Sequence, residues 1–227
     1  MTTIVGIQGD SFALICADSR SAEIDDSGYA TQVVTMRDGT GKVVINGRYI
    51  IGAAGDIRAI NILHHAFQPP ATPPNLRGRK LDQFVTVKFI PALRECFEQH
   101  GYSMAEHHDR KEHVAEMDSS VIMAVNNCIY TIEGDYSWHS DVTGVYAIGT
   151  GAQYAMGALH ALLGHGRPSI QSARKHALKS LAAAARFDPY TGSPYQTFVQ
   201  DGKKNLENKI TKVKKGRNAK TRRGRSK

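Results

Sequence analysis

Thr2-Thr3-Ile4-Val5-Gly6-Ile7-Gln8-Gly9-Asp10-Ser11-Phe12-Ala13-Leu14-Ile15-Cys16-Ala17-Asp18 holds two β-prone runs, Ile4 to Ile7 and Phe12 to Ala17, divided by Gly9-Asp10. That dipeptide tolerates the positive φ of a tight turn, so the chain opens with a β-hairpin. The pattern recurs downstream. Val43 to Ile45 and Tyr49 to Ala53 flank Asn46-Gly47, and Val121 to Val125 and Ile129 to Ile132 bracket Asn126-Asn127, giving two more hairpins. Val145 to Ile148 and Gln196 to Val199 read as further strands. Between the first two hairpins, Ser19 to Gly41 is polar and Gly/Asp-punctuated, an excursion with at most one extra strand near Gln32 to Met36.

Helical spacing appears between these strands. Ile57, Ile60, Leu63 and Phe67 share one face of a helix that Pro69-Pro70 closes, and residues to Lys80 form an extended connector. Leu81 to Gln99 keeps the helical period, with Pro91 expected to bend or break it. Ala152 to Leu163 and Ser169 to Ala185 give a second pair of helices. Antiparallel strand pairs with helices arriving two at a time predict an α+β fold, two antiparallel sheets packed together and covered by helices on each outer face: a four-layer αββα sandwich.

The 227 residues are 41% apolar and 22% charged, which excludes a chain disordered throughout. Twelve of the 29 Lys/Arg but one of the 21 Asp/Glu lie in Lys203 to Lys227, so that segment is +11 and residues 1–202 are −3. The sequence therefore divides into a folded domain over 1–202 and a basic segment over 203–227 expected to be disordered. The segment would hold nucleic acid or an acidic protein by charge alone, or serve only as a solubilising extension. Cys16, Cys96 and Cys128 lack CxxC spacing and read as core thiols in a reducing compartment. With no signal-peptide pattern and no apolar run of about 18 residues, a cytoplasmic protein without a membrane segment is expected. His107, His108 and His113 match no metal-ligand spacing, and Gly149-Thr150-Gly151 lacks a Walker lysine, so neither metal nor cofactor is expected.

Taken alone, Met1-Thr2-Thr3 reads as the start of a strand, and a chemical role for Thr2 depends on the loss of Met1 and on the surrounding pattern. Once Met1 is removed, the Thr2 α-amine lies within reach of its own Oγ1, and its reference pKa of about 7.7–8.0 lets it accept the hydroxyl proton near neutrality. Thr2-Thr3-Ile4-Val5-Gly6, followed sixteen residues after Thr2 by Asp18 in Ala17-Asp18-Ser19-Arg20, resembles the start of a mature proteasome β-subunit or its bacterial HslV relative. Lys42-Val43-Val44-Ile45, Gly52-Ala53-Ala54-Gly55-Asp56, Ala147-Ile148-Gly149-Thr150-Gly151 and Asp188-Pro189-Tyr190-Thr191-Gly192 continue the resemblance in the family's order. These motifs mark an N-terminal-nucleophile hydrolase.

The resemblance implies a threonine-type endopeptidase acting through an acyl-enzyme on Thr2. Lys42 would lower the hydroxyl's pKa, Asp18 would hold the lysine's charge, and the Gly55 N–H would face the oxyanion. Thr150, Asp188 and Thr191 would hold the amine and its water. Arg20, Ala53 and Ile57, near these motifs, are expected at the substrate pocket. Outside this context Lys42 reads as an exposed strand-edge lysine, Asp18 as a turn cap and Gly55-Asp56 as a turn before a helix. The resemblance also implies a homo-oligomeric ring or other closed assembly, fed with unfolded protein by a separate ATPase or cap. Lys42 follows Asp18 by 24 residues where the family has about 16, an insertion of about eight. Both shell hydroxyls that the family usually carries on serine are on threonine. Two other readings stay open: a silent shell or scaffold subunit that uses its basic segment, and a small-molecule amidase of the same superfamily.

Overall fold

A computed structural model of the chain describes residues 2–25, 27, 30–37, 39–102, 117–164, 168–202 and 204–211. The histidines at 107, 108 and 113 and residues 212–227 lie outside them. The opening hairpin is β1 (Thr3–Gln8) and β2 (Phe12–Asp18), in register Ile4↔Ala17 through Gln8↔Ala13. The second is β5 (Val43–Asn46) and β6 (Tyr49–Gly55), turning through Gly47 at φ 59°. The third is β7 (Ser119–Val125) and β8 (Cys128–Ile132). Its turn residues Asn126 and Asn127 both take positive φ, 50° and 64°, as the tightest hairpin turn requires.

Two five-stranded sheets result. The first has the order β10 (Val145–Gly149), β1, β2, β11 (Tyr195–Asp201), β12 (Lys204–Thr211). The second runs β5, β6, β7, β8, β9 (Trp138–His139). Every strand pair in both is antiparallel. Helices α4 (Ala152–Leu163) and α5 (Ile170–Phe187) cover the first sheet. The second is covered by α1 (Ile57–His65), α2 (Arg79–Phe84) and α3 (Ile90–Gln99).

Strand alternation divides the buried apolar residues into three layers. Val5, Ile7, Leu14 and Cys16 face α4 and α5, among Ala155, Leu159, Ala177 and Leu181. Ile4, Ile15, Ile50, Ile122 and Ile148 meet between the sheets. Tyr49, Ile51, Ala53, Val121 and Met123 face the other helical layer, among Leu63, Phe89, Leu93 and Phe97. The expected αββα sandwich is the fold. Helix starts are locally encoded, since Asp56 accepts the Arg58 N–H at 2.8 Å and Ser169 that of Ser172 at 3.3 Å.

Three expectations need correction. The Ser19 to Gly41 excursion contains two strands, β3 (Arg20–Ile24) and β4 (Ala30–Thr35), paired as a separate ribbon. Every residue of β4 is exposed, so no core face imposed an alternation on its sequence. The helix expected over 81–99 is α2, a π-helical turn at Val85–Phe89, then α3 with Pro91 in its first turn. The wider turn accommodates a proline that cannot donate to the ladder. Finally, ordered structure passes residue 202: β12 pairs with β11 and adds an edge strand within the segment expected to be disordered.

Candidate active site

The site lies where β1 begins and β2 ends. Asp18, fully buried, closes β2 beside the head of β1. Its Oδ1 accepts the Thr3 N–H at 2.9 Å and the Lys42 ammonium at 2.6 Å. Its Oδ2 accepts the N–H groups of Arg20 and Gly192, each at 3.0 Å. Three backbone donors and one cation thus satisfy a carboxylate that would otherwise be costly to bury. Lys42 precedes β5 and brings the second sheet to the first, its side chain 1% exposed. Burial holds the lysine below its ordinary pKa of 10.5; the opposing charge and hydrogen bond of Asp18, and the charge of Asp188, recover only part of that.

A second cluster of polar groups meets the first at the threonines. Asp188, just past α5, accepts at Oδ2 from the Thr150 hydroxyl at 2.9 Å and the Thr191 hydroxyl at 2.6 Å. Thr191 spends its one proton on that carboxylate, so the short contact between the Thr191 and Thr3 hydroxyls has Thr3 as donor. Thr150 Oγ1 also lies 3.4 Å from the Thr2 carbonyl oxygen, a second and more distant acceptor for the one proton it gives to Asp188. Thr2 itself is 2% exposed. Gly149, opposite Thr3 at φ 93°, presses its backbone on Thr2: a Cβ there would lie 2.1 Å from the Thr2 oxygen. Gly151 is needed for the same reason, because a Cβ on it would lie 2.2 Å from Thr3 Oγ1.

The second sheet supplies the other wall. Gly55 ends β6 at φ 134°, a conformation that favours glycine, and a Cβ there would meet the Asp118 oxygen at 2.4 Å. With Ala54, Met117, Asp118, Ser119, Ser120 and Gly134 it lines an open depression of about 320 Å³. Ala54 ties this depression to the threonines, since its Cβ would be 3.3 Å from a Cβ on Gly149.

Of the residues expected from sequence, Thr2, Asp18, Lys42, Thr150, Asp188 and Thr191 therefore gather around the head of β1, and Gly55 sits on the facing strand. Arg20 lies across the loop before β11, donating to the Pro189 carbonyl at 2.7 Å and covering Gly192. Ile57 begins α1 and is 44% exposed. Ala53 is not at the depression. It is fully buried facing the helices, and Ala54 is the neighbour that lines the depression. Sequence reasoning also passed over Thr3, Gly151 and Gly192. For Thr3 the alternation of β1 was the available signal: Val5 and Ile7 share its face toward α4 and α5, the side from which Asp188 arrives.

No family model matches the sequence, and no curated protein matches it. Solved structures do match. BPH of Thiobacillus denitrificans in complex with epoxomicin is 20% identical, with a TM-score of 0.66, over 88% of this chain and 99% of that one. A second BPH structure gives the same identity and TM-score over 88% and 98%. Eukaryotic HslV from Trypanosoma brucei is 19% identical with a TM-score of 0.55, over 88% and 99%. The likeness establishes a shared fold over nearly the whole of those chains. Among the described residues no helix is long and apolar enough to cross a membrane.

Proposed function

We propose that the chain is a threonine-type endopeptidase of the proteasome β-subunit and HslV kind, with Thr2 as nucleophile after loss of Met1. The observation that carries this reading is the buried Lys42–Asp18 pair tied to the head of β1 by the Thr3 N–H. A lysine is seldom so fully enclosed unless it is paired, and this pair is tied to the residue that follows the proposed nucleophile. The fold it shares with an epoxomicin-bound protein supports the same reading.

In this mechanism the free α-amine of Thr2 takes the proton from Oγ1 as that oxygen attacks the scissile carbonyl carbon. The Lys42 charge stabilises the developing alkoxide. The peptide N–H of Gly55 receives the oxyanion of the tetrahedral intermediate. As the C–N bond breaks, the α-ammonium returns its proton to the departing amine, leaving an ester on Thr2. Water then attacks the ester, its proton passing to the amine, and the acid product leaves with Oγ1 protonated again. The hydroxyl–carboxylate network of Thr3, Thr150, Asp188 and Thr191 orients the Thr2 backbone so that the amine stays in place. The proposed enzyme works within a closed homo-oligomer and receives unfolded chains from a separate ATPase or cap.

Intact mass spectrometry before and after incubation with an epoxyketone tests the reading. Loss of Met1 and one adduct per chain, mapped to Thr2, are expected. A retained methionine with no adduct would overturn it.

A further inference from the structure

Asp18 holds the Lys42 side chain, and the backbone from which that side chain departs needs a hold of its own. Gly41 and Lys42 belong to no strand. They follow the exposed strand β4, and the ladder of β5 with β6 begins only at Val43↔Gly52. A lysine charge sits at the end of a flexible four-carbon stem, so its placement depends on where that stem starts.

His64, near the end of α1, supplies the hold. Its Nε2 lies 2.7 Å from the Gly41 carbonyl oxygen. That oxygen belongs to the planar peptide unit that also carries the Lys42 nitrogen, so a bond to it fixes the orientation of the backbone on which the lysine stem is mounted. A carbonyl oxygen only accepts, and Nε2 therefore carries the proton. Burial holds the imidazole below its ordinary 6.5; the bond to Gly41 opposes this and the charge of His65 adds to it, which leaves a neutral ring near pH 7 with its proton on Nε2. A histidine in the last turn of a helix commonly serves the helix end, whereas this one reaches out of α1 to the loop before β5.

Two further contacts make the hold specific. On another side Gly41 abuts the buried Gln196, whose amide a Cβ on Gly41 would strike, and Gln196 pairs with Ala17, the residue before Asp18. The Lys42 carbonyl accepts the Ala53 N–H at 3.2 Å. α1 itself starts at Asp56, directly after Gly55, and packs Ala59, Ile60 and Leu63 on the second sheet. One short helix thus joins the Gly55 peptide to the Lys42 peptide.

We infer that His64 is a positioning residue, whose Nε2–H fixes the Gly41–Lys42 peptide and thereby places the Lys42 ammonium at the head of β1. The inference rests on the peptidase reading above. His64 acts through a group that stabilises charge in the transition state, so its loss falls on the chemical step and leaves inhibitor binding unchanged.

Two variants separate the donor from the ring. His64→Phe keeps an aromatic ring and removes the donor; His64→Gln keeps an N–H donor and removes the ring. Epoxyketone labelling followed by intact mass over a range of inhibitor concentrations gives a maximal rate and a half-saturating concentration. His64→Phe should lower the maximal rate about tenfold with the half-saturating concentration within about twofold of the unaltered value. His64→Gln should recover most of that loss. Added to Lys42→Ala, His64→Phe should cost nothing further, because the group it positions is gone. An unchanged rate in His64→Phe, a His64→Gln as slow as His64→Phe, or an equal loss with and without Lys42 each overturns the inference and leaves the peptidase reading standing. If His64→Phe loses the native circular dichroism, His64→Gln decides alone: a rate within about twofold of the unaltered protein upholds the inference and a tenfold loss overturns it. No adduct in the unaltered protein removes the peptidase reading and this inference together.

Discussion

Lys42 Nζ lies 2.6 Å from Asp18 Oδ1 with neither side chain more than 1% exposed. The same oxygen takes the Thr3 N–H, so one carboxylate joins the lysine before β5 to the first residue of β1. A cation held there costs desolvation, and the pair is weak evidence for stability in its own right. Its position beside Thr2 is what gives it meaning.

Lys42→Ala should keep the fold and lose the chemistry. Asp18 retains its three backbone donors, which limits the stability loss to about 3 kcal/mol, the low end for breaking a buried pair. Epoxyketone labelling should fall about 10²- to 10³-fold, the scale for removing an electrostatic stabiliser of the transition state. Circular dichroism and labelling on the same sample separate the two effects, and unchanged labelling would take Lys42 out of the mechanism.

Asp18→Asn should harm the fold more than Lys42→Ala does. An amide has one acceptor oxygen, so its NH₂ must confront either the Thr3 N–H and Lys42 or the N–H groups of Arg20 and Gly192. A loss of about 3–5 kcal/mol is expected from urea unfolding. A midpoint above that of Lys42→Ala would contradict it.

Alkaline pH should favour the folded protein through Lys42. Burial puts the folded pKa below the ordinary 10.5, so between those two values the unfolded chain binds more protons than the folded one. Stability then rises with pH across that window, and below it the cost of burying the charge is present in full. The unfolding free energy of the unaltered protein relative to Lys42→Met should therefore increase as pH rises toward 10.5. A flat or falling difference would mean that Asp18 outweighs desolvation.

The sequence made these residues legible because the hairpins around them carry strong turn chemistry. Gly47, Asn126 and Asn127 adopt the positive φ values their residue types favour, which pins the register of β5 to β8. Where the reading slipped, the signal was physically absent. Both faces of β6 are buried, so Ala53 and Ala54 are alike in hydropathy and the outward face had no polar marker. The ribbon of β3 and β4 packs on no core, and β12 is held by pairing with β11, with Leu206 and Ile210 its only aliphatic residues among lysines and asparagines. The role of Thr3 depends on Thr191, 188 residues away, a meeting that no local pattern encodes.

Two glycines of one helix distinguish the polar network from the backbone that carries it. Gly151 caps α4 at φ −88°, which alanine adopts without strain, yet a Cβ there would lie 2.2 Å from Thr3 Oγ1 and 2.9 Å from both Asp188 Oδ2 and Thr191 Oγ1. Gly151→Ala must therefore push those three groups apart and leave the helix intact. Gly157 sits within α4 with nothing within 4 Å of the added atom, so Gly157→Ala should stabilise the protein by about 0.5–1 kcal/mol and leave labelling unchanged. If the Thr3–Thr191–Asp188 hydroxyls hold the Thr2 amine in place, Gly151→Ala should slow epoxyketone labelling about tenfold or more, because small displacements of reacting groups carry large rate costs. The far-ultraviolet circular dichroism of both variants should match that of the unaltered protein. Equal labelling rates in the two would reduce the network to a structural support for the start of α4.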